Sequence, residues 1–187
     1  MASKSKNGAK KAAPLDAVAL LKADHRLVEE LFEKFEKATR KEQKKKLAQQ
    51  ICMELTIHTI IEEEVFYPAC KGVVEEDLLD EAYVEHDGAK MLIAEISQGS
   101  PDDKFFDAKV TVLSEEIKHH VKEEEKRSEG MFAQAKAAGL DMEELGELMM
   151  VRKRELQETL TLGELPPPET RTMKGAEVNY GAPVGHL

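Results

Sequence analysis

The 187-residue chain has no tryptophan, 5% aromatic residues and two cysteines. Two cysteines make no disulfide framework, and Cys52 falls inside a helical pattern while Cys70 follows it; a reduced, cytoplasmic compartment is expected. No apolar run approaches the roughly 20 residues of a membrane span. The basic N-terminus lacks an apolar signal core, so secretion is not indicated. A net positive charge is also lacking: 27 Lys and Arg stand against 37 Asp and Glu, a formal balance of −10, which argues against broad nucleic-acid binding, since that needs a positive field. What the chain does hold is 34% charged residues with abundant Ala, Leu, Lys and Glu, the composition of a helical domain with a substantial core.

The informative stretch is Leu47–Phe66. Its apolar stripe runs Leu47, Ile51, Leu55, then His58, Glu62 and Val65, stepping by fours and threes as one helix face must. A histidine and a carboxylate thus occupy a seam that should be apolar. Burying an unpaired carboxylate costs several kcal/mol, so a compensating cation is indicated. The seam recurs downstream as Phe106, Val110, Leu113, Ile117, His120, Glu124. Two more stripes carry one histidine each, His25 among Leu21, Val28, Phe32 and Phe35, and His86 among Leu79, Ala82, Ala89 and Ile93. His25 and His58 are 33 residues apart and His86 and His120 are 34 apart. The chain is therefore an internal repeat of a helix pair with its polar residues in register.

Residues 1–13 carry Lys4, Lys6, Lys10 and Lys11 and nothing to bury, and are expected to be a disordered basic arm. Residues 14–138 are expected to form an all-α, up-down-up-down four-helix bundle. Asp16 should cap helix one, which runs to about Ala38, and a capping box at Thr39 and Glu42 should open helix two. Helix two should end near Tyr67, before Pro68 and Gly72. Helix three is expected over 75–97. Ser100-Pro101-Asp102-Asp103 reads as the start of helix four, which runs to about Ala137 with a bend at Gly130. Residues 139–162 form an additional C-terminal helix, with Gly139 ending the bundle and Met142, Leu145, Leu148 and Met149 as its packing face against the bundle or a second subunit. Residues 163–187, with Pro166–Pro168 and His186, read as a flexible tail.

Imidazoles and carboxylates together suit iron, zinc or manganese, and no sulfur ligand lies on the seam. Four histidines and two glutamates exceed one tetrahedral zinc and match two metals sharing both carboxylates. A ferritin-like site would carry Glu-x-x-His; here the histidine comes first, at a spacing of four. Asp24-His25, His58-Thr-Ile-Ile-Glu62 with Glu63-Glu64-Val65-Phe66-Tyr67-Pro68, Glu85-His86-Asp87 and His119-His120-Val-Lys-Glu-Glu124-Glu125 resemble the hemerythrin family, the HHE cation-binding domain, over about Leu15–Ala137. The resemblance implies two non-haem iron ions, oxo- or hydroxo-bridged, with His25, His58, His86 and His120 as terminal ligands and Glu62 and Glu124 as bridges. It also implies binding or sensing of dioxygen or a relative such as nitric oxide or peroxide. Oxygen-carrying members hold a further histidine where this chain has Ala82, so reversible oxygen carriage by an asymmetric centre is not implied.

Other residues keep two readings. Glu63 is either solvated or an additional ligand; Asp24 and Glu85 either orient an imidazole N–H or stand as surface charges. His119 lies about 100° round the helix from His120 and should face the flank. Glu123 and Glu125 read as solvated, and Tyr83 and Tyr67 either line a ligand cavity or pack. Two further functions stay open: an enzyme acting on peroxide or oxidising ferrous iron, and iron storage or delivery. A protein partner or self-association through the fifth helix is possible, with no membrane and no nucleic-acid partner expected.

Overall fold

A computed structural model of the chain describes residues 16–173; the expected basic arm, 1–13, and His186 lie outside the described residues. Four long helices make the bundle: α1 (Ala17–Lys37), α2 (Lys41–Ile61), α4 (Glu76–Gln98) and α5 (Phe106–Glu125). Each packs on two neighbours, α1 on α2 and α5, and α4 on α2 and α5, closing a ring. Asp16 caps α1, its side chain accepting from the Ala19 N–H at 3.0 Å. The up-down-up-down four-helix bundle read from the periodicity is the observed architecture, and α7 (Met142–Thr159) lies against α1 and α2.

The apolar core is in two parts. One, around Phe32, Phe35, Ile51, Leu55, Ile93, Phe106 and Val110, fills the end of the bundle near the α1–α2 and α4–α5 connections. The other, around Leu21, Ile57, Ile61, Phe66, Ala82, Phe132, Met149 and Leu156, fills the opposite end and takes in the helices added after α5. The polar residues of the seam lie between the two.

Several boundaries differ from the sequence reading, each for a local reason. No side chain caps α2, whose flanking residue is Arg40, so the Thr39–Glu42 box does not form. Helix two does not stop at Tyr67: it widens into a π-helical turn, Glu62–Phe66, and continues as α3 (Tyr67–Cys70), with the Tyr67 N–H bonding to the Glu62 carbonyl. A π turn carries an extra residue, and Pro68, which has no N–H to donate, is accommodated just after it. Ser100–Asp103 closes a turn and starts no helix, because the Asp103 carboxylate takes the Ser100 N–H at 2.7 Å; α5 begins at Phe106. Helix four ends at Glu125, not Ala137. Lys126 leaves the helical conformation, with φ −50 and ψ 132, and a separate α6 (Met131–Ala137) follows Gly130. A Cβ at Gly130 would lie 2.5–2.7 Å from backbone atoms of Glu124 and Lys126, so this crossing admits only glycine. Gly139 follows α6 with φ +81, as its place at the bundle's end requires.

On α7, Asp141 caps the first turn, and Met149, Lys153 and Leu156 are buried. Leu148, expected on the packing face, is 53% exposed. Residues 163–173, read as flexible tail, run as a strap across the α2–α4 groove. Residues 163–171 line an open cleft of about 840 Å³ with Thr59, Ile60, Lys90 and Ile93. Asp87, fully buried, takes the Arg171 N–H at 2.8 Å, the Thr172 N–H at 2.6 Å and the Thr172 hydroxyl at 2.7 Å. Both cysteines are buried and free. Among the described residues no helix is long and apolar enough to cross a membrane.

Candidate metal centre

Each long helix delivers one histidine to the polar layer, and the π turn after α2 and the end of α5 each deliver a glutamate. All six side chains are buried, Glu62 completely. His25 Nε2 and His58 Nε2 stand 3.1 Å apart, and His86 Nε2 and His120 Nε2 3.3 Å apart. The carboxylates lie between these pairs. Glu62 Oε2 is 3.2 Å from His58 Nε2 and 3.3 Å from His86 Nε2. Glu124 reaches His25 Nε2 with Oε2 at 3.4 Å and His120 Nε2 with Oε1 at 3.6 Å. The sequence stripes thus converge as two imidazole pairs astride two carboxylates.

The opposite edge of each imidazole meets a carboxylate from another helix. Glu125 Oε1 is 2.8 Å from His25 Nδ1, Glu63 Oε1 3.1 Å from His86 Nδ1, and Glu85 Oε2 2.7 Å from His120 Nδ1. Asp24 Oδ2 faces His58 Nδ1 at 3.7 Å, an ion-pair distance longer than a hydrogen bond, while its other oxygen pairs with Lys153. The tethers run in a circle: α1 holds the histidine of α2, the π turn that of α4, α4 that of α5, and α5 that of α1. Glu85 is hydrogen-bonded to an imidazole and Asp24 faces one at ion-pair distance, in neither case the histidine next to it in sequence. Glu63 tethers His86 in this arrangement, and Glu125, read as solvated, tethers His25. The internal repeat held the missing signal, because Glu125 follows Glu124 as Glu63 follows Glu62.

Tyr67 enters the layer as well. Its hydroxyl is 3.4 Å from Glu62 Oε2, 3.2 Å from His86 Nε2 and 3.1 Å from Glu124 Oε1. On a regular helix, residues 58 and 67 would face opposite ways; the π turn swings the phenol inward. Tyr83 does not reach the layer, and packs edge-on to Tyr67 with ring centroids 5.3 Å apart. The Phe132 ring stacks on His25 at 5.9 Å, a position α6 reaches only because α5 breaks before it. His119 points outward with its side chain 57% exposed.

Burial makes the ionised forms costly. Glu62 is pushed well above its ordinary 4.5 by desolvation and then by the Glu124 charge. Glu124 is equally buried, yet His120, His25 and His58 hold it down at about 2. Burial lowers His58 to about 4 and lowers His86. Burial also opposes charge on His120, but Glu124 and Glu85 win and raise it. Glu62 Oε1 and Glu124 Oε2 have no hydrogen-bond partner among the described residues. Two orphaned carboxylate oxygens inside a protein leave a penalty of about 1–3 kcal/mol each. Two ligand groups, His25, His58, Glu62, Glu124 and Glu62, His86, His120, each gather within 4.8 Å. Hard oxygen and imidazole nitrogen at this density fit divalent transition metals.

The profile of the hemerythrin HHE cation binding domain matches residues 16–132. The chain belongs to this family. Among solved structures, a hemerythrin HHE cation binding domain-containing protein from Mycobacterium kansasii superposes with a TM-score of 0.64 at 23% identity, covering 76% of this chain and 88% of that one. At that identity the likeness concerns the fold. A DNA nickase of Nostoc sp. strain PCC 7120 is 30% identical over 106 residues, 57% of this chain and 30% of that protein. The chain thus spans under a third of that relative's length. The hemerythrin domain is a cation-binding one, and the two ligand groups lie inside the matched span.

Proposed function

We propose that this hemerythrin-family chain holds two iron ions, one between His25 and His58 and one between His86 and His120, with Glu62 and Glu124 shared, and that it binds or senses dioxygen or a related small molecule such as nitric oxide or peroxide. The supporting observation is the pair of buried carboxylates without partners, lying between two imidazole pairs. Two bound iron ions would supply reversible electron transfer and open coordination positions for the small ligand.

The chain's own groups set the conditions. Three carboxylates hydrogen-bonded to Nδ1 of His25, His86 and His120 fix those imidazole planes and favour the tautomer whose Nε2 lone pair faces inward, while Asp24 faces His58 at ion-pair distance. Phe132 and Phe66 wall the layer from water on one side, their rings 5.6 Å apart. Burial and the Glu124 charge favour the protonated form of Glu62 when no cation is present, and a bound cation would oppose it.

Turnover of peroxide is a second reading, favoured by Tyr67. Its phenol, raised well above 10 by burial and then by Glu124 and Glu62, holds a proton where a small ligand would sit.

Metal analysis of the purified chain, with ultraviolet–visible spectra of oxidised and reduced forms, tests the proposal. The expected result is two iron ions per chain, falling to one or fewer in Glu62→Ala. Two ions retained in that variant would exclude Glu62 as a shared ligand. A stoichiometric, reversible spectral change with oxygen supports binding, while steady-state consumption of hydrogen peroxide supports the enzyme.

A further inference from the structure

Helix α7 lies beyond the matched domain, which ends at residue 132, yet its buried face breaks the apolar rule as α2 does. Met149, Lys153 and Leu156 step by four and three along one face, and all three are buried, Lys153 to 8% exposure. An ammonium group taken out of water needs a counter-charge. Asp24, buried on α1, supplies it: Lys153 Nζ donates to Asp24 Oδ1.

Asp24 is also the carboxylate that faces His58, and it falls short of its imidazole. Glu125, Glu63 and Glu85 stand 2.8, 3.1 and 2.7 Å from Nδ1 of His25, His86 and His120. Asp24 Oδ2 stands 3.7 Å from His58 Nδ1, and both atoms are buried with no hydrogen-bond partner among the described residues. Two orphaned atoms that face each other would gain by closing the gap, so something keeps them apart. A cation on the carboxylate is not sufficient, since Glu63 carries Lys90 at 2.7 Å and still reaches His86. The difference is length. A glutamate arm spans both partners, whereas the aspartate arm is one methylene shorter and serves one, and the fully charged ammonium wins over an imidazole.

We propose that Lys153 is a positioning residue, which through Asp24 holds the tether of His58 open and so places one of the four imidazoles under the control of α7. Only the effect on a bound ion rests on the metal-centre reading. A carboxylate on the outer N–H of a ligating imidazole fixes the ring and raises its basicity. With Asp24 drawn toward α7, His58 lacks that support, and a shift of α7 that withdrew Lys153 would restore it.

NMR of the metal-free full-length chain, with nitrogen-15-labelled histidines, reads the tethers directly. Far-downfield, slowly exchanging Nδ1–H signals are expected from His25, His86 and His120 and not from His58. In K153M, which places an apolar side chain of similar length on an apolar face, His58 should gain such a signal. K153R keeps the ion pair and should match the native chain. A hydrogen-bonded His58 Nδ1–H in the native chain would overturn the inference, and that outcome needs no variant to fold. Folded K153M without the His58 signal would also overturn it, because the aspartate would then be too short whatever faced it. Loaded with cobalt(II), K153M should lose one of its ions about tenfold more slowly than the native chain; equal loss would overturn the effect on the ion. A native chain that takes up no cobalt would overturn the metal-centre reading and leave the N–H result standing.

Discussion

Glu62 and Glu124 are the same residue type at equivalent places in a repeat, yet their surroundings drive them apart. In the metal-free chain Glu62 and His120 are both raised, so the folded state binds their protons more tightly than the unfolded one. That stability is present at low pH and is lost as pH rises above the ordinary values of 4.5 and 6.5. His58, lowered to about 4, acts in reverse, and its contribution is lost as pH falls from 6.5. The trends oppose below pH 6.5; above it only the first remains. Denaturant titrations of the metal-free protein should therefore show stability falling as pH rises above about 6.5, by at most about 1.4 kcal/mol per pH unit per proton. Metal loading should flatten the curve and raise the melting temperature, since the cations then stabilise the charges. A metal-free chain insensitive to pH over that range would mean that Glu62 is ionised and solvated. At this scale the six inward residues were legible because polar groups broke an apolar period. Tyr67 was legible only as one of two readings, because its place depends on a widened turn, and Glu125 only through its position in the repeat, since its partner lies 100 residues away.

Two elements owe their shape to single residues. The π turn decides that a tyrosine and not an apolar residue borders the polar layer, and the glycine after α5 decides where that helix must stop. Gly130→Ala should cost at least about 2 kcal/mol, because backbone must move to admit the new carbon. Since the crowded atoms include the Glu124 carbonyl, metal affinity should fall with it. Gly88→Ala is the matched control: the residue sits within α4 and its added carbon would meet nothing nearer than 3.9 Å. That variant should gain up to about 1 kcal/mol from helix propensity. Thermal denaturation of the two side by side checks the contrast, and equal effects would refute the steric argument. Periodicity located all four long helices, because a buried stripe is a property of many residues at once. Their ends were harder: Ser100–Asp103 carries the composition of a helix start, but its side chains bond within the turn.

Across the whole molecule, the strap ties residues 171 and 172 to Asp87, next to His86 in sequence. Arg171 also bonds Glu63 at 3.0 Å and lies 5.5 Å over the Tyr83 ring. Asp87→Ala removes the acceptor for four strap donors, the N–H groups of Arg171, Thr172 and Met173 and the Thr172 hydroxyl, and tryptic cleavage after Arg171 should speed up about tenfold or more as the strap opens. Unchanged cleavage would show that Arg171 alone keeps it down. Nothing in the polar, Pro-rich composition of this segment signalled its docking; the contacts depend on a buried carboxylate that a helical pattern marks only as a polar residue at position 87. The circle of imidazole tethers has an outcome of its own. Asp24 and Glu63 are nearly dry, whereas the Glu85 and Glu125 side chains are 20% and 21% exposed. Each imidazole pair is thus anchored once in the protein and once at the water's edge. Dissolved salts and neighbouring charges can adjust the interior through those two outer handles without ever entering it.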